Sequence, residues 1–141
     1  MNEELRKEII MEHYQNPINK YDTQDDSYSK INTKNGSCID DLNIYIKIDN
    51  NVIKDITFNG EACAISISST SIMIKNLIGK TLEEALVYID NFENMVNEKE
   101  YDENLLNEGL AYCEIYKQNN RKNCATLPYR GIKKILLDYQ K

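Results

Sequence analysis

The sequence predicts an α+β fold in which a small antiparallel sheet packs against several helices on one face. Three observations predict it. Leu42, Ile44, Ile46 and Ile48 alternate with polar residues, and a second strand-like run follows from Val52 to Phe58 beyond the turn residues Asp49-Asn50-Asn51, which is the pattern of a hairpin. A helix-spaced apolar stripe opens the chain. After Glu61 the pattern is helical almost to the end, so the strands are few and the helices must cover them.

The opening helix is expected over Glu3 to Tyr14, where Leu5 pairs with Ile9 and Ile10 with Tyr14 at four-residue spacing, and Asn16-Pro17 stops it. His13, the only histidine, has polar neighbours and is expected at the surface. Pro17 to Ser37 is polar and turn-rich, with Asn35-Gly36 as a turn just before Cys38; whether Lys20 to Ser37 adds a third strand stays open. Asn59-Gly60 is expected to end the second hairpin strand. Glu61 to Ile78, rich in small and apolar residues, reads as a buried helix terminated by Gly79. Thr81 with Glu84 is a capping box for a helix from Leu82 to about Val96. Tyr101 to Tyr116 reads as a further helix despite Gly109, and Ala125 to Tyr139 as a last one with Pro128 in its first turn.

Composition narrows the function classes. A chain of 141 residues with 41% hydrophobic content has the size of one domain, 1–141, able to bury a core without disulfide staples. The N-terminus lacks the basic and apolar regions of a secretory signal. The most apolar stretch, Ala62 to Ile78, is interrupted by Ser66, Ser68, Ser69, Thr70, Ser71 and Lys75, which argues against a membrane span and for a cytoplasmic protein. A net charge of −6 without a Lys/Arg stripe disfavours nucleic acid, so proteins are the expected partners. In a reducing compartment, four cysteines in a chain of this length point to metal binding or sulfur chemistry.

Three of those cysteines stand at element boundaries. Cys38 follows a turn and precedes a strand, Cys63 follows a strand and opens a helix, and Cys124 is expected to open the last helix. At a helix start, free N–H groups and the macrodipole favour the thiolate, the form a metal binds. Three sulfurs leave one position of a tetrahedral zinc open, and Asp40, two residues after Cys38, fills it with an oxygen. Three thiolates and one carboxylate overcompensate a dication. Arg121, three residues before Cys124, is the cation expected to offset the excess. Detachment of one ligand would free a thiolate to attack sulfur. Against this stands the plain alternative of buried cysteine as a small hydrophobe, which is preferred for Cys113 beside Ala111, Tyr112 and Ile115. The hydroxyls from Ser66 to Ser71, with no nucleophile elbow around them, are expected to let helices pack closely and to bond back to carbonyls.

Four segments in order resemble the SufU branch of the iron–sulfur cluster assembly family, which also holds the IscU scaffolds and the N-terminal domain of NifU. EHYQNPINKY resembles the family's His-Tyr-x-x-Pro stretch, GSCIDDLNIYIKI its Cys-Gly-Asp stretch, ITFNGEACAISISSTSIM its Gly-x-Gly-Cys-x-Ile-Ser run, and RKNCATLPYRGI the SufU ending Arg-x-x-Cys-Ala-x-Leu. Asn123 stands where IscU scaffolds carry a histidine, and KEYDENLLNEGLAYCEIYKQ is similar to the insertion typical of SufU. The resemblance implies a SufU/IscU-like fold and a bound zinc. It implies a SufS-type cysteine desulfurase as partner, with a histidine of that enzyme displacing one zinc ligand, and downstream cluster-assembly proteins as receivers of the sulfur. Carried over, Cys38 accepts persulfide sulfur, Asp40, Cys63 and Cys124 hold the metal, and Arg121 stabilises the site. The alternative within the family is a scaffold on which a [2Fe-2S] cluster forms on the same thiolates; Asn123 favours sulfur transfer. The chain departs from the family at Ile39, where glycine is usual and a positive φ would now be costly, at Ala62, and at Asn119-Asn120.

Overall fold

A computed structural model of the chain describes residues 1–34 and 40–139. Three antiparallel strands, β1 (Ser29–Asn32), β2 (Asp41–Asp49) and β3 (Val52–Glu61), lie in chain order across one sheet. Four α-helices accompany them: α1 (Glu3–Gln15), α2 (Ala64–Leu77), α3 (Leu82–Val96) and α4 (Asn119–Tyr139). The expected α+β architecture is therefore present, and the polar stretch after Pro17 does contribute an edge strand.

The hairpin forms where alternation places it. Leu42, Ile44 and Ile46 of β2 point into the core fully buried, as do Ile53, Ile56 and Phe58 of β3. Their register pairs Ile44 with Phe58 and Ile46 with Ile56, which puts one apolar face toward the helices. Asn50 and Asn51 both adopt positive φ, 52° and 63°, the two-residue turn whose twist matches that of the strands. β3 runs on to Glu61, beyond the expected stop at Asn59-Gly60. On the far edge, the Thr33 N–H donates to the Leu42 carbonyl (2.9 Å) and the Leu42 N–H to Thr33 Oγ1 (3.1 Å). These bonds tie Leu42, two residues after Asp40, to Thr33 at the end of β1.

α2 is buried nearly all round, from Ser66 to Leu77 with Lys75 as the exposed exception. Gly79, at φ 91°, lets the chain leave it. α3 carries the expected capping box at Thr81 and Glu84, and buries Leu82, Ala85, Tyr88, Ile89, Phe92, Met95 and Val96 at helical spacing. Phe92 stacks on Tyr129 of α4 with ring centroids 4.0 Å apart and meets Tyr112 edge-on at 6.0 Å, which ties the last helix to the body.

Four sequence expectations need correction. Tyr101 to Tyr116 is not an α-helix but three short 3₁₀ turns, Glu103–Leu105, Asn107–Tyr112 and Ile115–Lys117. Asn107 has a φ of 49°, which breaks the helical path. Gly109 lies so close to α3 that a Cβ there would sit 2.7 Å from the Tyr88 hydroxyl, so the segment follows the surface it packs on. α4 begins at Asn119 rather than near Ala125, leaving Pro128 inside the helix and Cys124 in its second turn. His13 is buried, at 5% exposure, instead of lying at the surface. In α1, Leu5 and Tyr14 are exposed while Ile9 and Ile10 pack against the core, so the apolar stripe is narrower than its spacing suggests. Cys113 is half-buried at the end of a 3₁₀ turn and packs against the core, the hydrophobic role expected of it in a different local structure.

Candidate metal centre

α2 begins where β3 ends, and Cys63 is its N-cap residue. Its sulfur accepts the Ser66 N–H at 3.4 Å, the position a capping oxygen normally takes. The expectation that Cys63 opens a helix is met. Asp40, just before β2, is fully buried and reaches the same helix end. Its Oδ1 accepts the Cys63 N–H at 2.7 Å, and its Oδ2 accepts the Ser66 hydroxyl at 2.6 Å. Burial pushes the Asp40 carboxyl up, but the bonds from Ser66 and from the Cys63 backbone outweigh it and hold the group below the usual carboxylate range. A buried carboxylate is thus kept charged by donors that also fix its orientation.

Gly60 allows this approach. It pairs with Leu42 across the hairpin at φ 131°, and a Cβ there would fall 2.1 Å from the Asp41 carbonyl oxygen. No other residue permits the two strands to close this tightly beside Asp40.

Cys124 arrives from α4 by a different route. Pro128 has no N–H, so the carbonyl four residues earlier, that of Cys124, lacks its helical donor. The Ser66 hydroxyl lies 3.1 Å from that oxygen, and Ser69 donates to the next carbonyl, Ala125, at 2.6 Å. Ser69 of the neighbouring helix bonds to the opened turn, and the single Ser66 proton, directed to Asp40 at 2.6 Å, reaches the Cys124 carbonyl as the long arm of a three-centre contact. Being inside α4, Cys124 does not meet the free N–H groups expected to lower its pKa. Burial pushes its thiol up to about 12, and the neighbouring Cys63 sulfur and Asp40 carboxylate add to the rise.

One donor atom each from Asp40, Cys63 and Cys124 lie within 4.8 Å of one another. Metal–sulfur bonds of about 2.3 Å and metal–oxygen bonds of about 2.0–2.2 Å require donor separations of roughly 3.5–3.8 Å in a tetrahedral zinc site. Cys63 Sγ and Asp40 Oδ2 already stand 3.6 Å apart, so two thiols and a carboxylate fit such an ion with small adjustments. Cys38 and Ile39 lie outside the described residues. Arg121, on the first turn of α4, is exposed and lines a groove beside the site; among the described residues it makes no hydrogen bond or ion pair to Asp40, Cys63 or Cys124. Ser66, expected from the sequence to let helices pack closely and to bond back to carbonyls, touches Asp40, Cys63 and Cys124 at once and so belongs to the site. Its place three residues after an N-capping cysteine was the available signal.

A model of the NifU-like N-terminal domain family matches residues 5–140. The chain belongs to the NifU-like N-terminal domain family. Within it, the chain is 35% identical over 131 residues to the zinc-dependent sulfurtransferase SufU of Bacillus subtilis, covering 92% of this chain and 88% of the relative. It is 33% identical over 103 residues to the iron–sulfur cluster assembly scaffold protein IscU of Thermotoga maritima, covering 73% and 72%. Among solved structures, a SUF-system protein of Fervidobacterium islandicum, FiSufU, superposes with a TM-score of 0.83 at 34% identity, covering 92% of this chain and 94% of that one. The α+β fold of this family member is therefore shared along nearly its whole length with a SufU structure.

Proposed function

We propose that this protein is a zinc-dependent sulfurtransferase of iron–sulfur cluster assembly, with residues 1–141 acting as one domain. Cys38, Asp40, Cys63 and Cys124 hold the zinc, and Cys38 accepts persulfide sulfur from a SufS-type cysteine desulfurase for delivery to downstream cluster-assembly proteins. The observation that carries the reading is the convergence of the Asp40, Cys63 and Cys124 donor atoms within 4.8 Å, in a relative of a SufU protein named as zinc-dependent.

Zinc in this site would hold the ligating sulfurs as thiolates near neutral pH, reversing the effect of burial on Cys124. Asp40, oriented by Ser66 and the Cys63 N–H, supplies the oxygen donor, and its outer hydrogen bonds keep it charged. The Cys38 thiolate attacks the terminal sulfur of the desulfurase persulfide. One S–S bond forms as the other breaks, the electron pair leaves on the desulfurase thiolate, and the exchange is redox-neutral. Arg121, exposed one turn before Cys124, offsets the negative charge of the thiolates. No helix among the described residues is long and apolar enough to cross a membrane, which suits a role beside another protein.

Metal analysis of protein purified without added metal tests this directly. About one zinc per chain and no visible absorbance is expected. The IscU relative favours a second reading, a scaffold for a [2Fe-2S] cluster, and a brown iron-containing product would establish it instead. Cys38→Ser is expected to abolish stimulation of the desulfurase; retained stimulation would remove Cys38 from the acceptor role.

A further inference from the structure

We propose that a groove beside the metal ligands docks an acidic segment of the desulfurase that carries an apolar anchor, an inference that rests on the sulfur-transfer reading. The groove encloses about 390 Å³ between the first turns of α1, the 3₁₀ segment and the start of α4. Ile10, Ile65, Ala111 and Ile115 give it an apolar lining, suited to one inserted side chain. It also reaches the metal end, since Ile65 follows Cys63 by two residues and Arg121 precedes Cys124 by three.

Charge selects the occupant. Arg6, Lys7, Lys117 and Arg121 line the groove against only Glu3 and Glu114, a balance of +2 (four cations less two carboxylates) in a chain whose net charge is −6. Arg6 is committed to the fold, paired with Glu114 and donating to the Met1 carbonyl at 3.0 Å. Lys7 and Lys117 are held only by short-range pairs, to Glu3 at 3.3 Å and to Glu114 at 2.8 Å, with their side chains mostly exposed. Such exposed pairs hold weakly and exchange readily for the carboxylates of a partner. Cations around an apolar floor complement an acidic segment, and the overall acidity of the chain would repel one elsewhere.

The test compares the wild type with Lys7→Glu/Lys117→Glu, measuring affinity for the organism's own SufS-type desulfurase by calorimetry at low and moderate salt. Both lysines are on the surface, so metal content and the circular dichroism spectrum should not change. The expected result is a loss of affinity of about tenfold or more, with the steep salt dependence of the wild type flattened. Equal affinity and equal salt dependence in the variant would overturn the groove while leaving the sulfur-transfer reading intact. Loss of self-association instead, seen by sedimentation, would assign the groove to a second copy and likewise overturn the proposal. A wild type that neither binds nor stimulates the desulfurase would reject the sulfur-transfer reading itself, and the docking partner with it.

Discussion

The two ends of α2 each carry a buried serine network, and they differ in what they leave unsatisfied. Near its C-terminal half, Ile18 donates its N–H to Ser71 Oγ at 2.9 Å, and His13 Nδ1 lies 2.7 Å from the same oxygen. His13 Nε2 lies 3.0 Å from Glu108 Oε2, and Lys75 pairs with the other carboxylate oxygen. A carboxylate only accepts, so Nε2 carries the proton toward Glu108, and in the neutral ring Nδ1 accepts the Ser71 hydroxyl. That network closes on itself and joins α1, α2 and the 3₁₀ segment. At the N-terminal end, Ser66 serves Asp40 and the Cys124 carbonyl, yet two sulfurs and a carboxylate oxygen still face one another. A serine, a histidine and a carboxylate in a row are here a structural clip, because Ser71 is fully buried and no substrate reaches it. The N-terminal end is thus the one where two sulfurs and a carboxylate oxygen converge, the donor set proposed above to hold zinc.

Breaking each end separates the two roles. The largest effect is expected from Asp40→Ala, which removes a metal donor and strands the Cys63 N–H and the Ser66 hydroxyl. Zinc content should fall nearly to zero, and the metal-free protein should lose about 2–4 kcal/mol, read by elemental analysis and by urea melts. Gly60→Ala comes next: the new Cβ meets the Asp41 carbonyl at a strained φ. It should cost roughly 2–4 kcal/mol and weaken metal retention against a chelator, because Asp40 is displaced with its neighbour. His13→Ala should cost about 2 kcal/mol by leaving Ser71 and Glu108 without a shared partner, while zinc stoichiometry stays as in the wild type. A loss of zinc in that variant would show that the two ends are coupled through α2.

The smallest effect is a pH dependence. Burial pushes the Glu108 carboxyl up, but Lys75 and His13 outweigh it and hold the group below its ordinary value of 4.5. A depressed carboxyl stabilises the fold above its unfolded pKa, and that contribution disappears as pH falls through the lower folded value. In chelator-treated protein, Glu108→Gln should therefore melt a few degrees below wild type at neutral pH, with the gap closing as pH drops below 4.5. A gap that persists in acid would place the effect in packing rather than charge.

Much of the fold was legible because its signals are local. Alternation from Leu42 to Ile48, the turn at Asn50-Asn51 and the capping box at Thr81 and Glu84 each act within a few residues. Within the candidate site, Asp40 and Cys63 were placed by the strand and helix boundaries beside them, and Cys124 was found for the wrong local reason. Its helix starts at Asn119 rather than near Ala125 and takes Pro128 inside it, with Ser66 and Ser69, residues more than fifty positions away in the chain, lying against the opened turn. The 3₁₀ segment was missed in the same way: its apolar spacing is helical, but its path is set by the surface of α3.

By itself the sequence determined which residues are chemically able to bind metal, where the hairpin and most helices run, and the family to which the ordered motifs belong. Tertiary structure decided that His13 is a buried clip, that a proline can sit inside α4, and that Ser66 joins all three donor residues. The division has a physical cause. Strand alternation and helix caps are settled between near neighbours, whereas the burial of a histidine, the tolerance of a freed carbonyl and the pKa of a thiol depend on which distant side chains arrive beside them.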